Sequence, residues 1–406
     1  MSIVLAYSGG LDTSVALHWL KERYQTDIIA YCANVGQVED LTSVADRAKA
    51  AGAARVIVED IREQFLADFA MPALAAGAAY EGKYLLAAPL SRPLIAQRLV
   101  DIAHETGADA VAHGATGKGN DQVRFYTSVK ALNSRMQVLA PVIDWDLTSR
   151  GSELEYARRH GIDVGASKST PYSIDTNVWG TSIECGELDR IDLRPPRDAW
   201  QITTEPQNAP DSPQPFEINF EAGRPVAING KKGDLTTLVT YLSDLAASHG
   251  VGRTEILESR IVGFKSRGIY ESPAATVLHR ARVELEELVF DRETFHHKRS
   301  QSDRYAELVY YGYWFSDLRV ALDAYYESLS RRVTGTVTGE LYKGSIHFTG
   351  RRAERFGRYD FTLADYQDAD AFLHEAGAGF AYCWALPLTH SSHSTEFVHN
   401  TEAGNR

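Results

Sequence analysis

The sequence predicts an α/β protein: a doubly wound parallel sheet, then an α+β region, then a C-terminal helical tail. Three observations lead there. Through the first 165 residues, short β-rich runs alternate with helical patterns. A double glycine joins the first run directly to the first helix. Near residue 165 the alternation stops, and longer hairpin and helix patterns replace it.

The β-rich runs are SIVLAYS (2–8), DIIAYCANV (27–35), ARVIVED (54–60), DAVAHG (109–114) and MQVLAPV (136–142). In 12–24, Val15, Ala16, Trp19, Leu20 and Tyr24 mark one helical face. In 93–106, Ile95, Leu99, Ile102 and Ala103 do the same, and a further helix is expected over 120–131. Alternation of this kind implies right-handed βαβ units and a sheet buried on both faces. Beyond GASKSTPYSIDTN the chain reads as irregular, with a proline-rich loop at 205–215. EINFEAGRPVAI (217–228) predicts a hairpin turning at Gly223. A helix over 234–248, a strand through ESRIVGF and helices near 273–288 and 300–328 follow. A second hairpin is expected over 334–350, then a helix and a polar tail. In that tail His390, His393 and His399 lack acidic or cysteine neighbours and are expected to be solvated.

Composition bounds the function. With 42 basic and 54 acidic residues the 406-residue chain carries a formal charge of −12, which argues against a general nucleic-acid surface. Cys32, Cys185 and Cys383 are scattered, so no disulfide framework is expected and a reducing, cytoplasmic setting is the default. No basic leader and no run of eighteen apolar residues is present, so no membrane partner is expected.

The stretch AYSGGLDTS (6–14) ends the first strand and starts the first helix. Free amides and the positive end of the helix dipole meet there, which makes an anion site. Gly9 and Gly10 let the backbone turn and approach a ligand. Ser8, Thr13 and Ser14 offer hydroxyl donors. A capped turn needs one such residue, and here four polar residues flank two glycines. Gly-Lys occurs at 82–83, 117–118 and 230–231 without a following Ser or Thr, which excludes a Walker A loop. A second glycine loop, HGATGKGNDQVRF (113–125), follows the fourth strand. Its Thr116, Asn120, Asp121 and Arg124 suit a zwitterionic amino acid, with Asp121 toward an ammonium and Arg124 toward a carboxylate.

Ser-Gly-Gly-x-Asp-Thr-Ser resembles the pyrophosphate loop of the N-type ATP pyrophosphatases, which implies adenylation of a substrate oxygen. Ammonia-making relatives carry a catalytic cysteine at the mature N-terminus or in a glutaminase domain, and position 2 here is Ser. Sulfur-transferring relatives need cysteine pairs. A free amine is therefore the expected nucleophile. AYSGGLDTS, GATGKGNDQVRF, EYARRHGI, YSIDTNVWGTSIECGEL, HGVGR and KSRGIYESPA occur in order, and with them the chain resembles the argininosuccinate synthase family.

That resemblance implies ATP- and Mg²⁺-dependent condensation of citrulline with aspartate to argininosuccinate, AMP and pyrophosphate. It divides the chain into a nucleotide-binding domain at 1–165, a synthetase domain at 166–365 and a C-terminal arm at 366–406 in a homotetramer. It assigns ATP to Ala6, Tyr7, Ser8, Gly9, Gly10, Leu11, Asp12, Thr13, Ser14, Ala33 and Gly114. Aspartate falls to Thr116, Asn120 and Asp121. Citrulline falls to Tyr84, Asn120, Arg124, Ser173, Ser182, Glu258 and Tyr270. Asp12, Asp121 and Arg124 are the expected catalytic residues, and no side-chain metal cluster is expected beyond Mg²⁺ carried by ATP.

Two departures stand out. Ala88 and Pro89 replace usual hydroxyl residues, with Pro89 expected to hold Ala88 extended, and Tyr126 replaces a glutamate. They leave open a paralogue that joins aspartate to another ureido or carbonyl acceptor. An RNA-modifying adenylyltransferase is a further alternative, disfavoured by the acidic balance and the missing cysteine pair.

Overall fold

A computed structural model describes residues 2–147, 149–163, 171–367 and 370–389. Five strands, β1 (Ser2–Ala6), β2 (Asp27–Asn34), β3 (Arg55–Asp60), β4 (Ala110–Ala112) and β5 (Gln137–Leu139), form one parallel sheet in the order β3-β2-β1-β4-β5. Pleating sends Ile3 and Leu5 to one face, against Val15, Leu17 and Leu20 of the helix Leu11–Tyr24. Val4 goes to the other, against Leu99 and Ile102 of the helix Ala87–Thr106 and Phe125 of the helix Asn120–Leu132. Both faces are dry, as the apolar runs of the strands require.

The chain reverses its winding direction between β1 and β4. Their carboxyl ends are therefore neighbours, and the two glycine loops that leave them share one crevice.

Two antiparallel sheets follow. β6 (Ser173–Asn177), β7 (Gly180–Glu184), β11 (Arg253–Ser259) and β12 (Lys265–Glu271) pair in the order β11-β12-β7-β6. β8 (Gln214–Glu221), β9 (Arg224–Ile228), β10 (Lys231–Lys232), β13 (Gly335–Tyr342) and β14 (Ser345–Ala353) pair in the order β10-β9-β8-β13-β14. Both expected hairpins are present. Ala222 and Gly223 turn the first at φ 45° and 76°, and Lys343 and Gly344 turn the second at 46° and 83°. Positive φ at both central residues matches the twist of the flanking strands.

Several local expectations change. The region after 165, read as irregular, contains β6 and β7, whose Ser, Asp, Thr and Asn residues give no apolar alternation. The expected strand through ESRIVGF ends at Ser259, because Arg260 N–H bonds Phe264 O at 2.9 Å in a turn with Gly263 at φ 99°. The helical pattern near 300–328 is two helices, Arg292–Tyr310 and Asp317–Ser330, parted at Gly312 with φ 81°. The helix expected from 93 starts at Ala87, so Ala88 is helical despite the proline after it. Pro89 lies in the first turn, where its missing N–H breaks no intrahelical bond. Ala88 N–H is taken by Tyr84 Oη at 3.2 Å, and Ala88 O by Ser91 Oγ at 3.0 Å.

The chain forms two compact units, Met1–Gly357 and Arg358–Arg406. The second holds the short helix Phe361–Ala364 and the helix His374–Thr389, on which Phe380, Tyr382, Trp384 and Leu388 are exposed. His390, His393 and His399 lie outside the described residues. Among the described residues no helix is long and apolar enough to cross a membrane.

Candidate active site

The loop after β1 presents backbone rather than side chains. Gly10 is the N-cap of the helix Leu11–Tyr24, and no side chain caps it. Gly9 sits at φ 79°, and a Cβ there would lie 2.8 Å from Arg47 Nη2 and 3.0 Å from Val44. The hydroxyls are mostly spent internally: Tyr7 Oη meets Ser14 Oγ at 2.9 Å, and Ser8 Oγ meets Thr13 Oγ1 at 3.1 Å. Ser14 is fully buried and Leu11 packs into the core, so both can face a ligand only through backbone. Of these four hydroxyl residues only Ser8 is exposed.

The loop after β4 repeats the arrangement. Gly119 is the N-cap of the helix Asn120–Leu132, again without a side-chain cap. Two helix N-termini with open amides therefore stand at the ends of adjacent strands. Gly114 brings the loops together, since a Cβ on it would meet Thr13 Cγ2 at 2.8 Å. Thr116 is exposed, with its carbonyl accepting from Gly119 N–H at 3.0 Å. Ala33 is the last residue but one of the neighbouring strand β2, its carbonyl accepting from Gln37 Nε2 at 2.7 Å.

Asp121 and Arg124 lie one turn apart on the same face. Arg124 Nη1 donates to Asp121 Oδ1 at 2.8 Å, and Arg92 Nε donates to Asp121 Oδ2 at 2.8 Å. Arg92 also binds Asp175 of β6. Burial pushes the Asp121 carboxyl up, but the Arg92 and Arg124 guanidiniums more than offset it and hold it at about 2. Its charge is committed to two arginines. Arg124 Nε donates to Tyr310 O at 2.9 Å and its guanidinium sits 4.8 Å from the Tyr310 ring centroid. Its Nη2 is buried with no partner among the described residues, a donor available to an incoming carboxylate. Asn120 is engaged at both ends, donating to Tyr310 Oη at 2.7 Å and accepting from Ile261 N–H at 3.0 Å.

The remaining polar set comes from the sheet β11-β12-β7-β6. Ser182 stands opposite Tyr270 in register, and Ser182 Oγ meets Tyr84 Oη at 3.2 Å. The Tyr84 and Tyr270 rings stack with centroids 3.9 Å apart. Tyr270 Oη donates to Glu258 Oε2 at 2.8 Å, and Glu258 is 2% exposed. Arg260 approaches Glu258 at 3.9 Å and binds Glu184. Ser173 lies exposed on the edge strand opposite Glu184, outside this bonded chain. Tyr126 is half exposed beneath Lys130, so its phenol does not face the buried Arg124 side of its helix.

Contributors not singled out from the sequence include Arg47, Glu153, Asp175, Glu184 and Tyr310. Glu153, of the helix Arg150–Arg159, lies beside Asp12, and burial together with Asp12 pushes its carboxyl up to about 8. Arg47 reaches Gly9 from the helix Leu41–Ala50. Each is distant in sequence from the residue it serves, and no local spacing signals such a pairing.

The chain matches two family models, the arginosuccinate synthase N-terminal HUP domain over residues 2–163 and the arginosuccinate synthase C-terminal domain over 172–391. It is 74% identical over 389 residues to a protein of Rhodococcoides fascians named argininosuccinate synthase, covering 96% of this chain and 98% of that one. Proteins of the same name from Symbiobacterium thermophilum and Aquifex aeolicus are each 50% identical, covering 95% of this chain and 96% of theirs.

Proposed function

The chain belongs to the argininosuccinate synthase family, the ATP-consuming ligases that join citrulline to aspartate in arginine biosynthesis, and we propose that it does so through a citrullyl-adenylate held where the loops after β1 and β4 meet. One observation carries this reading: two uncapped helix N-termini, at Gly10 and Gly119, stand at the ends of adjacent parallel strands. The first suits the leaving pyrophosphate, with Arg47 beside Gly9 adding positive charge. The second suits the amino-acid substrate.

In this reading residues 6–14, Ala33 and Gly114 hold ATP, largely by backbone. Thr116, Asn120 and Asp121 hold aspartate, with Asp121 acting chiefly by orienting Arg92 and Arg124. The free Arg124 Nη2 takes a substrate carboxylate, and Tyr84, Asn120, Ser173, Ser182, Glu258 and Tyr270 complete the citrulline pocket. Adenylation turns the ureido oxygen of citrulline into the oxygen of AMP, a competent leaving group. The neutral amine of aspartate then attacks the same carbon.

Asp12 and Glu153 fit Mg²⁺ delivered with ATP, because both are oxygen donors and the buried Glu153 Oε2 lacks a partner among the described residues. The ion would supply charge neutralisation on the phosphates. A homotetramer is supported by the exposed apolar side chains of the helix His374–Thr389, and a reducing cytoplasm by the three free cysteines.

Citrulline labelled with oxygen-18 in its ureido carbonyl tests the mechanism. The label is expected in AMP, with pyrophosphate as co-product. Label retained in argininosuccinate, or ADP and orthophosphate as primary products, would overturn it.

A further inference from the structure

On the helix Leu11–Tyr24, beyond the end that carries the glycine loop, His18 and Glu22 stand one turn apart. His160, which ends the helix Arg150–Arg159, is brought beside them. One potential ligand atom from each of the three lies within 4.8 Å of the others. His18 Nδ1 is 3.8 Å from Glu22 Oε2, and His160 Nδ1 is 3.9 Å from Glu22 Oε1. The two imidazole rings are 4.5 Å apart. Tyr156 bridges the group, its Oη meeting His18 Nδ1 at 3.1 Å and Glu22 Oε2 at 3.1 Å.

We propose that His18, Glu22 and His160 form a binding site for a divalent transition ion of the zinc class, which links the helix Leu11–Tyr24 to the helix Arg150–Arg159. Two imidazoles and one carboxylate are the donor set that such ions take, with a fourth position left for water. Two features support it. His18 and Glu22 are spaced i, i+4, so one helix face presents both donors without any loop movement. Ligand separations near 4 Å need only small side-chain rotation to reach bonds of about 2.0–2.2 Å, and Tyr156 already draws two of the three groups toward one point.

The two linked helices also carry Asp12 and Glu153, so an ion here braces the scaffold behind the phosphate loop without touching it.

The test uses the full-length protein, stripped with chelator and titrated with Zn²⁺ against a chromophoric competitor. The difference between wild type and variants separates this site from the cysteines and tail histidines. One equivalent is expected to disappear in His160→Ala, and to weaken roughly tenfold or more in the conservative, solvent-facing Glu22→Gln. Zn²⁺ is expected to raise the wild-type Tm and to leave that of His160→Ala unchanged. Absence of Zn²⁺ binding by the wild type overturns the proposal. So does equal binding by wild type and both variants.

Discussion

Arg124 donates its Nε–H to the backbone carbonyl of Tyr310, 2.9 Å away and 186 residues on. That carbonyl is free to accept because the helix Arg292–Tyr310 stops there. Gly312, at φ 81°, turns the chain so tightly against the helix Asn120–Leu132 that a Cβ on it would meet Arg124 Cα at 3.0 Å. Thr127 Oγ1 fastens the same turn by donating to Gly312 O at 3.0 Å. A break between two helices thereby aims the guanidinium.

Arg124→Lys keeps the charge and loses the fork. Lysine can replace neither the Nε bond to Tyr310 nor the free Nη2 together with the bond to Asp121. Loss of a buried, charge-assisted contact costs about 2–4 kcal/mol, or roughly 30- to 1,000-fold in kcat/KM. The loss is expected mainly in KM for an amino-acid substrate, measured by pyrophosphate release. An unchanged KM for both citrulline and aspartate would return Arg124 to a purely structural role.

Gly9→Ala places a methyl group where Arg47 and Val44 stand and holds a β-carbon at φ 79°. The left-handed conformation costs about 1–2 kcal/mol in stability. Displacing Arg47 adds a loss of ATP–pyrophosphate exchange beyond what the Tm change explains. Exchange activity at wild-type level in a folded Gly9→Ala protein would separate this loop from pyrophosphate.

Glu153 links stability to pH. Its carboxyl is pushed up to about 8 by burial and Asp12, against an ordinary 4.5. Between those values the folded chain holds a proton that the unfolded chain has lost, so this group's contribution falls as pH rises through the window. Glu153→Gln stays neutral and removes that slope. In nucleotide-free protein, its Tm relative to wild type is expected to rise by about 1–3 °C from pH 5.5 to pH 8.5. Parallel Tm curves across that range contradict the assignment.

Glu286 is 1% exposed and accepts from Arg282 Nε and Lys298 Nζ, both at 2.8 Å. Arg282 also reaches Gly223 O at 2.6 Å and Ser330 Oγ at 2.8 Å, so one buried guanidinium joins the β8–β9 turn to the helix Asp317–Ser330. Glu286→Ala leaves two buried cations without their carboxylate, a loss of about 3–5 kcal/mol. Urea denaturation measures it. Replacing all three by apolar residues is expected to cost less than the single change, because no uncompensated charge remains.

The sequence by itself determined the parallel sheet and its ligand end. Apolar runs with β-branched residues, alternating with helical faces, admit few other arrangements, and glycine turns at the ends of β1 and β4 mark where backbone must approach a ligand. Both hairpins were legible for the same local reason, a glycine at the turn between alternating segments. The β6–β7 strands were not, because their polar residues take their order from pairing with β12 rather than from their own pattern. Nor were the partners of the site. Asp121 reads in sequence as a free carboxylate for an ammonium, yet its charge is spent on Arg92 and Arg124. Ser14 reads as a ligand donor, yet its hydroxyl belongs to Tyr7. Arg47 at Gly9, Glu153 at Asp12 and Tyr310 at Arg124 join residues far apart along the chain, up to 186 positions for the last pair. Turn chemistry and periodicity act over a few residues, so they fix where the backbone opens. Which side chains meet there depends on burial and charge pairing between distant elements, and only the packed chain decides that.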